Sequence, residues 1–304
     1  MTRALDRPLK APAFQGVSLR RKVVNNAATV LVTSSVVVAL VPLLWVLYSV
    51  ISKGISVVTS RTWWFNSQAG MTAFAPGGGA YHAIVGTLLQ GLVCAVISIP
   101  VGVFVGIYLV EYGGGTRLGR LTTFMVDILT GVPSIVAALF IYALWVATFG
   151  LGRSGFAVSL ALVLLMIPVI VRSTEEMLRV VPMDLREAIY ALGVPKWKTI
   201  TRIVIPTALS GIVTGIMLAL ARVMGETAPL LILVGYAQAI NFDMFNGFMG
   251  SLPGMMYDQT SAGAGANPVP TDRLWGAALT LIVLIALLNV GARFVAKFFA
   301  PKTV

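Results

Sequence analysis

Two opposite charges, Arg222 and Glu226, lie inside a long apolar segment of this sequence. Residues four positions apart share a face of a helix, so a helix here would place the guanidinium beside the carboxylate. Each charge costs about 2.5–3.5 kcal/mol at the centre of a bilayer on insertion scales, so a compensating role is expected. One interpretation is a structural ion pair, extended by Asp127. The other is an anion path in which Arg222 contacts the substrate and Glu226 holds the arginine in place. We favour the path, because apolar residues could replace a purely structural pair without that cost.

Two further charges in apolar segments are weaker candidates for the same path. Arg172 stands at one end of its segment, where an arginine is equally typical of an ordinary membrane anchor. Asp127 stands in another segment, shortly before the run Thr130 to Ser134, whose glycine and proline should break a helix. Such breaks are tolerated in a membrane where they face protein or a cavity. We therefore count both residues among the candidates.

The groups that most enzymes and nucleotide-binding proteins need are missing from the sequence. His82 is the only histidine and Cys94 the only cysteine, which argues against a zinc cluster, a disulfide within the chain and a Ser-His-Asp constellation. No G-x-x-x-x-G-K-[ST] run is present to cradle the phosphates of ATP. We therefore predict a non-catalytic chain with no catalytic residue, no metal site and no cofactor bound by the chain itself.

The composition is that of an integral membrane protein. Hydrophobic residues make up 58% of the 304 residues, charged residues only 11%, and the mean hydropathy is +0.91. Soluble domains carry roughly one quarter charged residues. The net charge of +11 could suggest a nucleic-acid partner, but the basic residues are scattered beside apolar runs and form no dense patch. The lipid bilayer is the expected environment, with no nucleic acid.

Apolar segments long enough to cross a membrane, which takes about 20 residues, occur six times. They cover approximately residues 27–51, 83–110, 121–147, 154–172, 207–237 and 275–297. The fold class is therefore an all-α membrane protein with one transmembrane domain, 27–297, between a flexible basic tail, 1–26, and a short tail, 298–304. We expect little tight secondary structure in the long connection from Gln238 to Arg273, which is rich in glycine and proline.

The distribution of lysine and arginine indicates the orientation. Cytoplasmic connections of membrane proteins carry an excess of these residues. With six crossings, most of the 22 basic residues fall on the side of the two termini. The opposite side receives only Lys53, Arg61, Arg153 and Arg273. Both termini and the connection 173–206 are therefore expected in the cytoplasm.

A polar island from Val181 to Pro206 interrupts the apolar segments. Pro182 and Asp184 suit the first turn of a helix, and Gly193 suits a left-handed residue just past its end. Pro195 should start a second helix, and Pro206 should stop it. The unit is predicted as helix, glycine turn and helix.

This island resembles the E-A-A coupling loop of bacterial ABC importer permeases. The matching residues are Glu187, Ala188, Ile189, Gly193, Ile203 and Pro206, in the pattern E-A-A, G, I-x-L-P. Isoleucine replaces the alanine at the third position and the leucine of that pattern. The resemblance implies the type I ABC importer permease fold, in which this loop inserts into a cleft of a cytoplasmic ATPase. A solvated amphipathic loop without a partner is the alternative.

Further motifs resemble the phosphate-specific permeases of the PstA type. They are Arg222 to Pro229 as R-V-M-G-E-T-A-P, Gly131 to Val136 as G-V-P-S-I-V, Gly86 to Leu88 as G-T-L, and Arg186 to Gly193 as R-E-A-I-Y-A-L-G. The resemblance extends from about residue 20 to 298. It implies a permease subunit of a phosphate importer in a bacterial inner membrane. It also implies a PstC-type partner permease, two PstB-type ATPase subunits that use ATP and Mg²⁺, and an extracytoplasmic PstS-type phosphate-binding protein.

Two other functions remain open from the sequence. A permease for another oxyanion, such as sulfate or molybdate, would use the same loop, although the G-E-T-A-P run argues against it. A channel or ion-coupled secondary transporter could use Asp127, Arg222 and Glu226 as a charge relay, although a coupling loop would then have no purpose.

Overall fold

The computed structural model describes residues 18–299, which are helical over most of their length. The α-helices are α1 (Leu19–Val58), α2 (Arg61–Phe65), α3 (Tyr81–Ile107), α4 (Arg117–Gly131), α5 (Ser134–Ile141), α6 (Gly155–Val180), α7 (Met183–Ala191), α8 (Lys196–Thr199), α9 (Ile205–Met224), α10 (Ala228–Leu233), α11 (Leu252–Ser261) and α12 (Pro268–Phe299). Three π-helical turns, Tyr108–Tyr112, Tyr142–Thr148 and Ile200–Val204, extend α3, extend α5 and join α8 to α9. Within the described range no strand forms, which confirms the all-α class.

Within residues 18–299, five stretches are long and apolar enough to cross a membrane, and α4 with α5 gives a sixth if the bent pair counts as one crossing. The chain changes direction by 106° between the two helices. The bend falls inside the predicted break, at Val132 and Pro133. Val132 is extended (φ −70°, ψ 123°), because the ring of a following proline disfavours the helical conformation.

Several helix bounds differ from the predicted segments. Helix α1 begins at Leu19, so residues 19–26 of the predicted flexible tail are helical. Residues 1–17 of that tail fall outside the described range. Residues 300–304 of the second tail also fall outside it. Helix α6 continues without interruption past Arg172 to Val180, because no proline or glycine follows the arginine to end it. The chain divides into two compact units, up to Ser49 and from Val50 onward.

The connection 238–273 contains more structure than expected. Ser251 accepts a hydrogen bond from the backbone N–H of Gly254 at 3.1 Å and thereby caps α11. Helix α12 starts at Pro268, where the missing N–H of a proline costs nothing because first-turn donors have no partner within a helix. Proline therefore lies in the first turn of two helices here, while residues 238–251 and 262–267 form no helix, in line with the expectation.

The fifth predicted segment, 207–237, is not one helix. Helical structure begins at Lys196 and continues to Met224, where Gly225 ends it. Pro206, which we expected to stop a helix, lies in the first turn of α9. A proline ring clashes with the carbonyl four residues earlier. The wider π-helical turn that precedes Pro206 moves that carbonyl out of register, so the chain stays helical.

The main core of the second unit lies where α3, α6 and α9 meet. Cys94, Met166 and Ala219 are fully buried there, so the single cysteine of the sequence is a packing residue. Glycines let α3 approach α6 closely. A Cβ added at Gly106 would lie 2.8 Å from the Cβ of Thr174, so a larger residue would push the two helices apart.

At the α11 end of this unit, one arginine organises the segment before α3. Arg273 is only 3% exposed. Its guanidinium donates to the carbonyls of Ala75 at 2.7 Å and Gly77 at 2.9 Å, and more weakly to those of Thr72 and Ala73. Burial raises the pKa of the nearby Asp258 carboxyl above its usual value, and the charge of Arg273 opposes that shift. The arginine thus ties the connection between α2 and α3 to the start of α12.

Candidate functional site

Arg222 lies in the last turn of α9 with its side chain exposed. The C-terminal end of a helix carries a partial negative charge, which favours a cation in this turn. No carboxylate among residues 18–299 forms an ion pair with it. The helix therefore presents an unpaired guanidinium on its outer face, next to apolar residues.

Glu226 lies beyond the end of that helix and is half-buried. It lines a cavity of about 10 Å³ together with Thr87, Gln90 and Ser251. Such a volume corresponds to about one water molecule, and a water is stable only where several polar groups surround it. Gln90 is 2% exposed, and its side-chain nitrogen has no hydrogen-bond partner. An unpaired donor and a carboxylate thus line one small cavity whose other walls are mostly apolar.

The expected intrahelical pair of Arg222 and Glu226 does not form. The expectation assumed a continuous helix, but the N–H groups of Gly225 and Glu226 bond to the carbonyls of Arg222 and Val223 in a closing turn, at 3.2 and 3.1 Å. Four residues place two side chains on one face only inside a helix. The prediction that Glu226 holds Arg222 in place is therefore wrong in this structure.

Asp127 joins Arg172 rather than the charges at the end of α9. Their side chains form an ion pair between α4 and α6. Arg172 also pairs with Glu175 at 2.7 Å, and Glu175 pairs with Arg179 at 2.5 Å. The four side chains form a network with Glu175 buried and Arg179 exposed. The suggestion that Asp127 extends the pair of Arg222 and Glu226 is wrong, because α4 places the Asp127 carboxylate beside Arg172 of α6.

The two candidate arginines lie at different heights along the helices. A Cβ at Gly215 of α9 would meet the Cβ of Ser173 of α6 at 2.5 Å, so these residues are level. Arg172 is therefore close to the level of Gly215. Arg222 lies seven residues further along α9, which is roughly 10 Å at 1.5 Å per residue. The two arginines therefore lie at different positions along the helix axes and do not form one cluster.

The predicted helix, glycine turn and helix are confirmed in the polar island. Helix α7 ends at Ala191, and Gly193 has φ +74°. The N–H of Gly193 bonds to the carbonyl of Tyr190 at 2.9 Å, and that of Val194 to the carbonyl of Ile189 at 3.4 Å. This pair of bonds is a Schellman motif, which requires a left-handed residue at Gly193. The turn thus has a geometry that glycine accepts without strain.

Helix α7 presents a mixed polar and apolar surface. Glu187 and Ala188 are exposed, whereas Ile189, Ile203 and Pro206 are half-buried. Leu192, beside the glycine turn, is 81% exposed. A solvated face does not usually leave large apolar side chains uncovered in a group, so this surface is suited to contact another protein. The six residues of the predicted coupling motif thus divide into an exposed tip and a half-buried base.

The contact that holds α7 in place is not apparent from the sequence. Arg186 and Glu111 form an ion pair, and both side chains are buried, at 7% and 4% exposure. Arg186 also donates to the carbonyl of Leu178 at 2.7 Å. The only available signal was one arginine and one glutamate at the ends of polar connections, which does not identify a pair. No group of three or more His, Cys, Asp or Glu side chains in the described range could hold a metal ion.

Comparison with known proteins gives consistent matches over the chain. Residues 98–304 match the family described as "Binding-protein-dependent transport system inner membrane component". The chain is 55% identical over 301 residues to the phosphate transport system permease protein PstA of Mycobacterium leprae, covering 98% of this chain and 96% of that protein. It is 38% identical to the PstA protein of Pasteurella multocida, covering 93% of this chain and 97% of that protein.

Solved transporter structures share the fold at low sequence identity. The bacterial alginate ABC transporter, solved in complex with a pentasaccharide-bound periplasmic protein, superposes with a TM-score of 0.62 at 12% identity, covering 94% of this chain and 99% of that chain. The inward-facing MetNI methionine ABC transporter superposes with a TM-score of 0.55 at 20% identity, covering 73% of this chain and 94% of that chain. These two matches concern the fold alone.

Proposed function

The chain belongs to the binding-protein-dependent transport system inner membrane components, and within them to the PstA-type permeases, and we propose that it is the permease subunit of an ATP-driven phosphate importer. The observation that carries the proposal is 55% identity to a phosphate transport permease over 98% of the chain. The fold agrees with this function, since the superposed ABC transporters share it. The chain would move phosphate across the membrane without changing it chemically.

Arg222 is our first candidate for the phosphate path. Its guanidinium is exposed and unpaired at the end of an otherwise uncharged helix, and a charge there requires either water or a counter-charge. A transported phosphate offers that counter-charge, and guanidinium can bind it through two parallel hydrogen bonds. Passage also requires that the anion leave again, so the contact is expected to be weak and transient.

Glu226 has a different role in this proposal from the one its spacing suggested. Because it lines the small cavity beside Gln90, it stabilises the break between α9 and α10 rather than the orientation of Arg222. The break then keeps Arg222 at a helix end, where its side chain can reach the path. Arg172, held by Asp127 and Glu175, is a second candidate for the phosphate path. It lies roughly 10 Å from Arg222 along the axis of α9, level with Gly215.

Helix α7 and the Gly193 turn are the proposed contact with the ATPase. The exposed Glu187 and Leu192 would enter a cleft of a PstB-type subunit, which binds ATP and Mg²⁺ and performs the hydrolysis. Two such subunits would drive this chain and a PstC-type partner permease, while a PstS-type binding protein delivers phosphate from outside. In this arrangement both termini and α7 are cytoplasmic, and α11 lies outside.

Reconstitution of the complete complex tests the function. Vesicles that contain this chain, its partner permease and its ATPase should take up labelled phosphate when ATP and the loaded binding protein are supplied. Sulfate and molybdate serve as competing anions, since permeases for these anions would share the loop. Uptake of either in preference to phosphate, or phosphate uptake that does not depend on ATP, would contradict the proposal.

A further inference from the structure

The buried pair of Glu111 and Arg186 joins α7 to a helix that is distant in sequence. Glu111 belongs to the π-helical turn that extends α3, and Arg186 lies in the middle of α7. The side chains pair directly, and the second guanidinium nitrogen of Arg186 donates to Leu178 near the end of α6. Arg186 therefore connects α7 to the ends of two different helices at once.

A second contact strengthens the same junction. Lys196, at the start of α8, donates to the backbone carbonyl of Glu111. Its ammonium also lies 4.8 Å from the centre of the Tyr112 ring, within the range of a cation–π contact. Both sides of the Gly193 turn, α7 and α8, are thus attached to the π-helical turn that extends α3.

Chain connectivity alone would not couple α7 to α3. Helix α7 follows α6 directly after Val181 and Pro182, which are not helical, and a π-helical turn makes α8 continuous with α9. Any displacement of the turn must move those two helices. Helix α3 packs closely on α6 near Gly106, so it already follows that helix, and the contacts of Glu111 with Arg186 and Lys196 add a direct link from α3 to the turn. The Glu111 and Arg186 side chains are both buried, whereas Lys196 is exposed. A buried ion pair is rarely the most stable solution for packing, so a role in positioning fits it better.

The other end of α3 reaches the cavity beside Glu226. Thr87 accepts a hydrogen bond from the N–H of Leu252 at 2.8 Å, which attaches α3 to α11. Gln90, one turn further, lines the cavity with Glu226. Residues 87 to 111 span roughly 35 Å at 1.5 Å per residue. One helix thus contacts the polar island at one end and the α9–α10 break at the other.

We propose that α3 is a strut that transmits movement of α7 to the Glu226 cavity, and that Glu111 and Arg186 are the positioning residues that attach it. When the ATPase displaces α7, the pair moves the whole helix along its axis. The Thr87 and Gln90 end then shifts against α11 and the α9–α10 break. This inference rests on the proposed function, because it needs an ATPase that drives α7.

The test replaces the pair without leaving a buried charge. In the Glu111→Met, Arg186→Met double variant both charges are lost and the volume is kept, so the junction can still pack. The reconstituted complex should assemble and hydrolyse ATP at its basal rate, while phosphate uptake per ATP falls about tenfold. Wild-type uptake per ATP in the assembled double variant would overturn the proposal.

A conservative variant and a matched control complete the test. Arg186→Lys keeps the charge next to Glu111 but cannot make both contacts at once, so uptake per ATP should fall about threefold. If the double variant does not assemble, the Arg186→Lys variant becomes the test of the strut. Unchanged phosphate uptake per ATP in that variant would reject the proposal. Arg120→Gln removes an exposed arginine near the same end of the fold, which forms no ion pair with residues 18–299, and should couple normally. An equal loss in that control would also reject it.

Failure of the proposed function is distinguishable from failure of the strut. If the chain is not part of an ATP-driven phosphate importer, the wild-type complex itself shows no ATP-dependent phosphate uptake. If only the strut is wrong, the wild-type complex transports phosphate and the variants of the pair transport it equally well.

Discussion

Glu226 lies four residues after Arg222, yet α9 ends between them and their side chains do not pair. The arginine stays on the exposed face of the helix, whereas the glutamate lines a cavity beside Gln90. The two charges therefore do not neutralise each other in this conformation. Arg222 is left with a charge that a passing anion can satisfy.

Replacement of Arg222 should reduce phosphate uptake in a graded way. Arg222→Lys keeps the charge but loses the planar guanidinium, so we expect phosphate uptake to fall about tenfold. Arg222→Gln loses both the charge and the guanidinium, so uptake should fall further. Assembly with the ATPase and basal hydrolysis should persist in both variants. Uptake into vesicles by the purified complexes is the measurement. Near-wild-type uptake by an assembled Arg222→Gln, Glu226→Gln double variant would refute the anion path.

The effects of Arg222 and Glu226 on stability should be independent. Groups that do not contact each other have additive effects within about 0.5 kcal/mol. We therefore expect the loss of thermal stability in the Arg222→Gln, Glu226→Gln variant to equal the sum of the losses in the single variants. Melting of the purified complex provides the values. A strong interaction energy between the two substitutions would show that they pair in the dominant conformation.

A β-branched residue at Gly193 should uncouple transport from ATP hydrolysis. The glycine has φ +74°, and a Cβ there would meet no atom within 4 Å, so Gly193→Val acts through backbone strain of about 1–2 kcal/mol rather than through a clash. The Schellman turn and the tip of α7 should then change shape. Stimulation of ATP hydrolysis by the loaded binding protein is the readout. Gly114→Val, at an exposed glycine whose φ is not positive and which has open space around it, is the control and should behave as wild type.

The α11 end of the protein should be accessible from outside the cell. Ser261 is exposed at the end of α11, and a Ser261→Cys variant should react with a membrane-impermeant thiol reagent in intact cells. The unmodified chain provides the control, because its single cysteine, Cys94, is fully buried. Reaction only after the cells are opened would reverse the proposed orientation.

Loss of Arg273 should loosen the connection between α2 and α3. Arg273→Met removes the donor to four backbone carbonyls, and a hydrogen bond to a charged group contributes about 1.5–3 kcal/mol. Hydrogen exchange of the amides in residues 66–80 should become at least tenfold faster, while exchange in α6 should not change. Arg153→Met is a suitable control, because Arg153 is exposed and carries no such set of contacts. Unchanged exchange in residues 66–80 would show that the arginine does not hold this connection.

Features that depend on short stretches of chain were predictable from the sequence. Apolar length indicated the membrane-crossing helices, the Val132 and Pro133 pair indicated the sharp bend, and Gly193 indicated a left-handed turn. Each follows from hydrophobicity or from the allowed backbone angles of one or two residues. The motifs around Glu187 and Arg222 likewise indicated the family, which the comparisons confirmed.

Partners and directions of side chains were decided only by the tertiary structure. Arg172 pairs with a residue 45 positions away and Arg186 with one 75 positions away, and nothing local in the sequence selects those partners. The sequence predicted that Arg222 lies beside Glu226, but α9 ends at Gly225, before the glutamate. It also predicted that Pro206 stops a helix, but a π-helical turn before the proline lets the helix continue. A single residue of difference in a helix turns a side chain by about 100°, so its neighbours follow from how helices end and pack together.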